Sequence, residues 1–317
     1  MKHVLVNLEL NESEKASLEA CFPEAVYRYT AFGHQTVEDL EWADAVIGNV
    51  DPKLLKGIRL DWFQLFSAGA DAYYPEGQPL LSETTVLTNS SGAYGLSVAE
   101  HMFGMTLALM KKLPLYRDNQ KKSLWQEEGA VGSFYGAKVL IIGLGDIGLE
   151  YAKRAKAFGA EVIGVRKHNT ECPEGVDVVY LTEDVDRLLP EMDVVVLFLP
   201  GTQETQLFMT RERLERMNEQ AILVNGGRGT AIDLEALCDV IEAGKIASAA
   251  LDVTDPEPLP EDHRLWKLEN VFLTPHVSGG FHMEETRRRV LNIVRKNLTA
   301  YANGTPFSNI VSRKLGY

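Results

Sequence analysis

Short apolar runs separated by amphipathic stretches recur along the whole chain. In the first third, residues 3–8, 26–29, 45–48, 62–66 and 86–88 have the length and β-branched or aromatic content of strands. Between them, Asn11 or Ser13 can cap a helix running toward Ala20, and residues 38–42 and 52–55 read as helical connectors. Alternation of this kind predicts a parallel sheet with helices on both faces. Residues 95–110 are apolar on most sides of a helix, so that helix should be buried. Residues 113–136 read as a link, opened by Pro114 and made loop-like by Gly129, Gly132 and Gly136. Beyond it, strands are expected at 139–142, 162–165, 193–199, 221–225, 248–253 and 271–273, with helices at 149–158, 211–217 and 233–243. These predict a second doubly wound sheet. A last helix over 283–301 places Leu291, Val294, Leu298 and Tyr301 at spacings of 3, 4 and 3, so one face is buried. It is long enough to return to the first domain. The predicted organisation is therefore α/β with a discontinuous domain, 1–98 plus 284–317, and a second domain over 99–283.

The turn after the 139–142 strand reads Gly143-Leu144-Gly145-Asp146-Ile147-Gly148. Strand, G-x-G-x-x-G, helix and strand within about 30 residues form a dinucleotide-binding unit. Gly143 permits the tight turn, Gly145 lets the backbone approach a pyrophosphate, and Gly148 lets the helix pack close to the strand. The pyrophosphate would sit at the helix N-terminus, where unpaired N–H groups and the dipole favour negative charge.

The end of the second strand modifies this picture. NAD-binding folds place Asp or Glu there to accept from the ribose 2′-OH. Here the position 23 residues after Gly143 is Arg166, followed by Lys167 and His168. A guanidinium cannot accept that bond but can pair with a 2′-phosphate. The expected cofactor is NADP, with NAD possible.

Composition adds mostly exclusions. The 317 residues carry a net charge of −13 spread along the chain, so a nucleic-acid partner is not expected. Cys21, Cys172 and Cys238 are too far apart for a C-x-x-C site, which argues against bound metal and a disulfide framework and fits a reducing cytoplasm. No apolar run approaches a membrane span, and residues 1–10 read as a strand rather than a leader.

Ligands bind outside the carboxyl ends of strands in such sheets. Three loops there each offer a different polar residue: Arg228 in Asn225-Gly226-Gly227-Arg228-Gly229, Glu257 between two prolines, and His276 in Thr274-Pro275-His276-Val277-Ser278-Gly279-Gly280. A cation, a carboxylate and an imidazole at one sheet edge can reduce a 2-keto acid. Arg228 would clamp the carboxylate and polarise the keto oxygen. His276 would donate the proton as hydride arrives. Glu257 would stabilise the imidazolium and fix its tautomer. In the first domain, Ser67-Ala68-Gly69-Ala70-Asp71 follows a strand and could present backbone N–H groups to a carboxylate, or be an ordinary turn. Tyr73, Tyr74 and Tyr94 lie near it and could line a pocket or simply pack.

The stretches SAGAD, TNSSGAYGLSVAEH, KVLIIGLGDIG, LPGTQET, AILVNGGRGTAIDLEAL, ALDVTDPEPLP and LWKLENVFLTPHVSGG occur in this order from Ser67 to Gly280. Together they resemble the D-isomer-specific 2-hydroxyacid dehydrogenase family. The resemblance implies a Rossmann cofactor domain inserted in a flavodoxin-like substrate domain, a homodimer built on the cofactor domains, and a cleft that closes on a small 2-keto or 2-hydroxy acid. It implies that Arg228, Glu257 and His276 are the catalytic trio. It also implies that Asp146 and Ile147 lie at the pyrophosphate turn, Pro200 and Thr205 on the adenosine side and Asp252 near the nicotinamide, with Gly226 and Gly279 beside the cofactor. The backbone at Ala68 and Gly69, with Arg228 and His276, would hold substrate. Arg166 departs from the usual acidic residue of the family and looks like the NADP-using glyoxylate/hydroxypyruvate reductases. Two alternatives stay open: an NAD-dependent dehydrogenase of a larger or phosphorylated D-2-hydroxy acid, like phosphoglycerate dehydrogenase, and a non-catalytic NAD(P)H-sensing interaction protein.

Overall fold

The computed structural model describes residues 1–74, 80–281 and 283–316. They form two compact units, Met1–Tyr94 with Phe281–Tyr317, and Gly95–Gly280.

The first unit holds a parallel sheet of β1 (His3–Val6), β2 (Val26–Tyr29), β3 (Ala45–Ile47), β4 (Trp62–Gln64) and β5 (Val86–Thr88), in the order β2-β1-β3-β4-β5. That is the flavodoxin-like order, whose ligand site falls where the winding reverses beside β1. Asn11 caps α1 (Glu12–Glu19) with a capping box closed by Glu14, and Thr36 caps α2 (Val37–Trp42) in the same way through Asp39. The core gathers Leu5, Val46, Phe63 and Leu87 from the strands and Leu65 just after β4, with Leu40 and Leu55 from the connectors. Residues 52–55 form a 3₁₀ turn opened by Pro52.

The second unit begins with α3 (Gly95–Met110) and α4 (Leu113–Lys121). The segment expected as a link after residue 113 therefore opens as a helix, since Pro114 sits in its first turn, where a missing N–H costs nothing. The sheet then runs β6 (Lys138–Ile142), β7 (Glu161–Arg166), β8 (Val178–Leu181), β9 (Val194–Leu197), β10 (Ile222–Asn225), β11 (Ser248–Leu251) and β12 (Val271–Leu273). The order is β12-β11-β10-β9-β6-β7-β8, all parallel. This is the Rossmann winding extended by one strand. Connecting helices are α5 (Asp146–Ala157), α6 (Val185–Leu188), α7 (Arg211–Arg216) and α8 (Leu234–Glu242). The central strands are buried on both faces, which is why they read as continuous apolar runs.

The unit boundaries fall a few residues from those expected at 98/99 and 283/284. The whole of α3 belongs to the second unit from its first residue, because the Gly95 N–H donates to the Asp146 carboxylate at 2.7 Å. Phe281 belongs to the first unit, where its ring lies 5.5 Å from that of Phe66. The chain completes the first unit with α9 (Glu284–Asn303). Buried Asn297 ties that helix to the sheet, donating to Gln64 Oε1 at 2.7 Å, while Thr88 Oγ1 donates to the same oxygen at 2.8 Å.

Candidate active site

The glycine turn joins β6 to α5. Gly143 has φ +102°, and a Cβ there would lie 2.5 Å from the Phe198 carbonyl oxygen, so only glycine closes this turn. A Cβ at Gly148 would lie 2.1 Å from the Gly143 carbonyl oxygen, which sets how closely α5 approaches β6. At Gly145 the same construction meets nothing within 4 Å. Gly145 is the N-cap of α5, and no side chain caps the helix. Space in front of an uncapped helix N-terminus fits the pyrophosphate of a dinucleotide. Ile147 is half-buried in the first turn. Asp146 brings only backbone here, because its carboxylate accepts from Gly95.

Arg166 ends β7. Its guanidinium donates to Asn169 Oδ1 at 3.1 Å, to the Glu171 carbonyl at 3.4 Å and to the Leu144 carbonyl inside the glycine turn at 3.5 Å. The cation is thus held at the rim of the dinucleotide turn. Lys167 pairs with Glu204 on the loop after β9. That loop is closed on itself, since Thr205 Oγ1 donates to the Pro200 carbonyl at 2.5 Å and accepts from Thr202 N–H at 3.0 Å.

Arg228, Glu257 and His276 stand in the loops that follow β10, β11 and β12, three adjacent strands. Asn225 shapes the first loop by accepting from Gly227 N–H at 3.1 Å and donating to the Arg228 carbonyl at 2.9 Å. Arg228 is half-buried, and one guanidinium nitrogen donates to the Gly227 carbonyl at 2.9 Å. Gly226 is required by packing: a Cβ there would lie 2.7 Å from Met102 Cγ on α3. Glu257 Oε2 and His276 Nδ1 are 2.8 Å apart, and Glu257 Oε1 accepts from Thr254 N–H at 3.1 Å. A carboxylate on Nδ1 fixes the proton there and leaves Nε2 as the exchanging nitrogen. The His276 side chain is 49% exposed, open to a reacting group.

His276 adopts φ +52°, a left-handed conformation that a histidine keeps only when its surroundings impose it. Asp252 imposes it. Its carbonyl accepts from His276 N–H at 2.8 Å. Its carboxylate, 1% exposed, accepts from Val277 N–H at 3.0 Å, Ser278 N–H at 3.1 Å, Ser278 Oγ at 2.5 Å and Thr274 Oγ1 at 2.6 Å. The loop is also tied to α3, through His101 Nε2 at 3.0 Å from Thr274 Oγ1 and through Ser97 Oγ donating to the Ser278 carbonyl at 2.7 Å. Gly279, half-buried, continues the same loop. Sequence reasoning missed Ser97, His101 and Thr274. The available signal was two polar residues four apart, on one face of a largely apolar helix.

In the first unit, loop 67–69 has its acceptors satisfied. The Ser67 carbonyl accepts from Ser90 N–H at 3.0 Å, the Ala68 carbonyl from Asn89 Nδ2 at 2.8 Å, and the Gly69 carbonyl from Ser67 Oγ at 2.8 Å. The Ala68 and Gly69 N–H groups donate to nothing within their own unit among the described residues. Donors without acceptors suit an anion. The neighbouring tyrosines pack instead: Tyr73 OH bridges the Val50 carbonyl and N–H at 2.9 and 3.1 Å, and Tyr94 OH donates to the Phe66 carbonyl at 2.5 Å.

A family model for the D-isomer specific 2-hydroxyacid dehydrogenase NAD binding domain matches residues 103–278. The chain belongs to that family. It is 32% identical to glyoxylate/hydroxypyruvate reductase B of Erwinia tasmaniensis, with 98% of each chain covered. It is 35% identical to D-3-phosphoglycerate dehydrogenase of Archaeoglobus fulgidus over 72% of this chain and 43% of that one. A solved D-isomer specific 2-hydroxyacid dehydrogenase family protein from Aeromonas salmonicida superposes with a TM-score of 0.85 at 31% identity, covering 98% of this chain and 99% of that one. Membership makes this an NAD(P)-dependent enzyme of the D-2-hydroxyacid dehydrogenase class. Among the described residues, no helix is long and apolar enough to cross a membrane.

Proposed function

We propose that the protein is an NADP-preferring reductase of short 2-keto acids, with glyoxylate and hydroxypyruvate among its substrates, forming the D-hydroxy acid. The observation that carries this is the Glu257–His276 pair at 2.8 Å, on the carboxyl edge of the sheet whose glycine turn is rimmed by Arg166. The bound nicotinamide supplies the hydride. Arg228 holds the keto-acid carboxylate and draws charge from the keto oxygen. His276 Nε2 gives its proton to that oxygen, and Glu257 on Nδ1 keeps the ring oriented and offsets the imidazolium charge in the reverse direction. Gly143, Gly145, Gly148 and the first-turn N–H groups at Asp146 and Ile147 hold the pyrophosphate. Pro200 and Thr205 flank the adenosine, Gly226, Asp252 and Gly279 frame the nicotinamide side, and Arg166 with Lys167 takes the 2′-phosphate. Ala68 and Gly69 supply N–H groups to the substrate anion.

The relative from Erwinia tasmaniensis supports reductase over phosphoglycerate dehydrogenase, because that match runs the length of both chains. A homodimer on the second unit accords with exposed Leu113, Leu124, Trp125, Val131 and Tyr135 on one segment of it. The free cysteines Cys21, Cys172 and Cys238 accord with a reducing cytoplasm.

The test is initial rates of NADPH and NADH oxidation with glyoxylate and hydroxypyruvate, in wild type and Arg166→Asp. Faster turnover of NADPH in wild type, reversed in the variant, is expected. Equal or better use of NADH by wild type refutes NADP preference. A non-catalytic sensor would bind NADPH and oxidise none of it with any keto acid.

A further inference from the structure

Ser97, His101 and Met105 recur every four residues on α3, so they share one face of that helix. All three meet the loop that carries His276. Ser97 Oγ donates to the Ser278 carbonyl at 2.7 Å, His101 Nε2 lies 3.0 Å from Thr274 Oγ1, and Met105 Sδ lies 3.5 Å from the same oxygen. The proton transfer itself uses none of these side chains.

The protons in this contact can be assigned. Thr274 has a single hydroxyl proton, and Asp252 Oδ1 takes it at 2.6 Å, the shortest of its contacts and the one to a charged acceptor. The Thr274 oxygen therefore turns a lone pair toward His101, and His101 Nε2 is the donor. Donation runs from His101 to Thr274 to Asp252, and each bond orients the next. Without the imidazole, the Thr274 hydroxyl loses the donor that fixes its rotation.

Asp252 is where this line of bonds meets the proton donor. Thr274 stands two residues before His276, and Val277 and Ser278, whose N–H groups also reach the Asp252 carboxylate, stand one and two residues after it. Both sides of His276 thus close on a single carboxylate, 1% exposed. Among the described residues, no lysine or arginine pairs with that carboxylate, and the basic side chain nearest it is His101, with Nε2 3.9 Å from Oδ1. A buried anion held by neutral donors is sensitive to the loss of any member of its network. We propose that His101 is a positioning residue for the reduction: through Thr274 and Asp252 it holds His276 in the left-handed conformation from which the ring delivers its proton. It acts on the loop and not on the substrate. The inference rests on the reading of the chain as a 2-keto acid reductase with His276 as proton donor.

The experiment measures kcat and KM for glyoxylate, NADPH affinity by calorimetry, and thermal melts. The proteins are wild type, His101→Gln, His101→Asn, Thr274→Val and the double variant His101→Asn/Thr274→Val. A glutamine amide nitrogen reaches the place of Nε2 and can donate, whereas the asparagine amide is one carbon shorter and falls short of Thr274. The His101 side chain is 29% exposed, so either amide is accommodated. His101→Asn should lower kcat about tenfold, the worth of one hydrogen bond. NADPH affinity and the KM for glyoxylate should stay within about twofold. His101→Gln should recover most of the lost kcat. Thr274→Val should lower kcat at least as far as His101→Asn, and the double variant should be no slower than Thr274→Val, because the line of bonds is already cut. A merely structural histidine would lower the melting temperature in the amide variants and leave kcat alone. Wild-type kcat in His101→Asn overturns the inference. So does equal loss in the two amide variants, and so does a double variant in which the two losses multiply. Wild type that oxidises neither NADPH nor NADH with any 2-keto acid sinks the reductase reading itself, and the inference with it.

Discussion

Two alanine substitutions in one turn should separate cofactor binding from folding. At Gly145, φ is −86° and a Cβ meets nothing within 4 Å of the protein. Gly→Ala there reduces the freedom of the unfolded chain, stabilising by about 0.4–1 kcal/mol. It also replaces a favourable N-cap residue by an unfavourable one, at roughly 0.5–1 kcal/mol. These offset, so the melting temperature of Gly145→Ala should stay within about 2 °C of wild type. The new methyl, however, fills the space in front of the helix. Pushing a pyrophosphate off two N–H groups, at about 1.5–3 kcal/mol for each charged bond, weakens NADPH by roughly 100-fold or more. Gly148→Ala should behave in the opposite way. Its Cβ would lie 2.1 Å from a backbone oxygen, so α5 must move off β6. Overpacking of this kind costs about 1–3 kcal/mol, or a loss of roughly 3–10 °C in a unit of this size. Thermal melts without cofactor and calorimetric titration with NADPH give both quantities. A Gly145→Ala protein that binds NADPH as tightly as wild type would refute the placement of the pyrophosphate. A Gly148→Ala protein that melts like wild type would refute the packing argument.

Further outcomes are expected. His276→Ala should lose most turnover, roughly 100-fold or more, with NADPH affinity retained, and Glu257→Gln should lower kcat with little change in KM for the keto acid; loss of cofactor binding in His276→Ala would remove His276 from the chemistry. Asp252→Ala takes the acceptor from four donors, two of them buried on Ser278, so it should cost about 3 kcal/mol and lower the melting temperature by roughly 6–12 °C. The Arg287 guanidinium holds the Glu14 carboxyl below its ordinary value of 4.5. A depressed carboxyl stabilises the fold above that value, and the contribution disappears as pH falls through the lower folded pKa. Glu14→Gln should therefore cost about 1–2 kcal/mol at pH 7 and progressively less below pH 4.5, measured by denaturant unfolding; a pH-independent difference would assign the effect to packing.

What could be read from the chain follows the range of the interactions involved. Strands buried on both faces, such as β9 and β10, announce themselves as unbroken apolar runs, and the glycine turn is a local steric demand written in Gly143 and Gly148. Edge strand β8 was missed although Val178-Val179-Tyr180-Leu181 is a short apolar run, and only one of the four residues is buried. The helical opening of 113–121 was hidden because none of its residues is buried and Pro114 reads as a break, although it sits in the first turn. The Glu257–His276 contact spans 19 positions, yet each residue follows a legible strand, so the sheet brings together what the sequence holds apart. The support behind His276 was not legible for a different reason. Asp252 was expected near the nicotinamide; its part in holding the His276 loop, through bonds to Thr274, Val277 and Ser278 that span 22 to 26 positions, was not. A buried acid and a left-handed histidine are two sides of one arrangement: the carboxylate collects the loop's donors, and the backbone bends to deliver them. Residue types at fixed spacing reveal which groups can react. Only the folded loop reveals which group holds them in position.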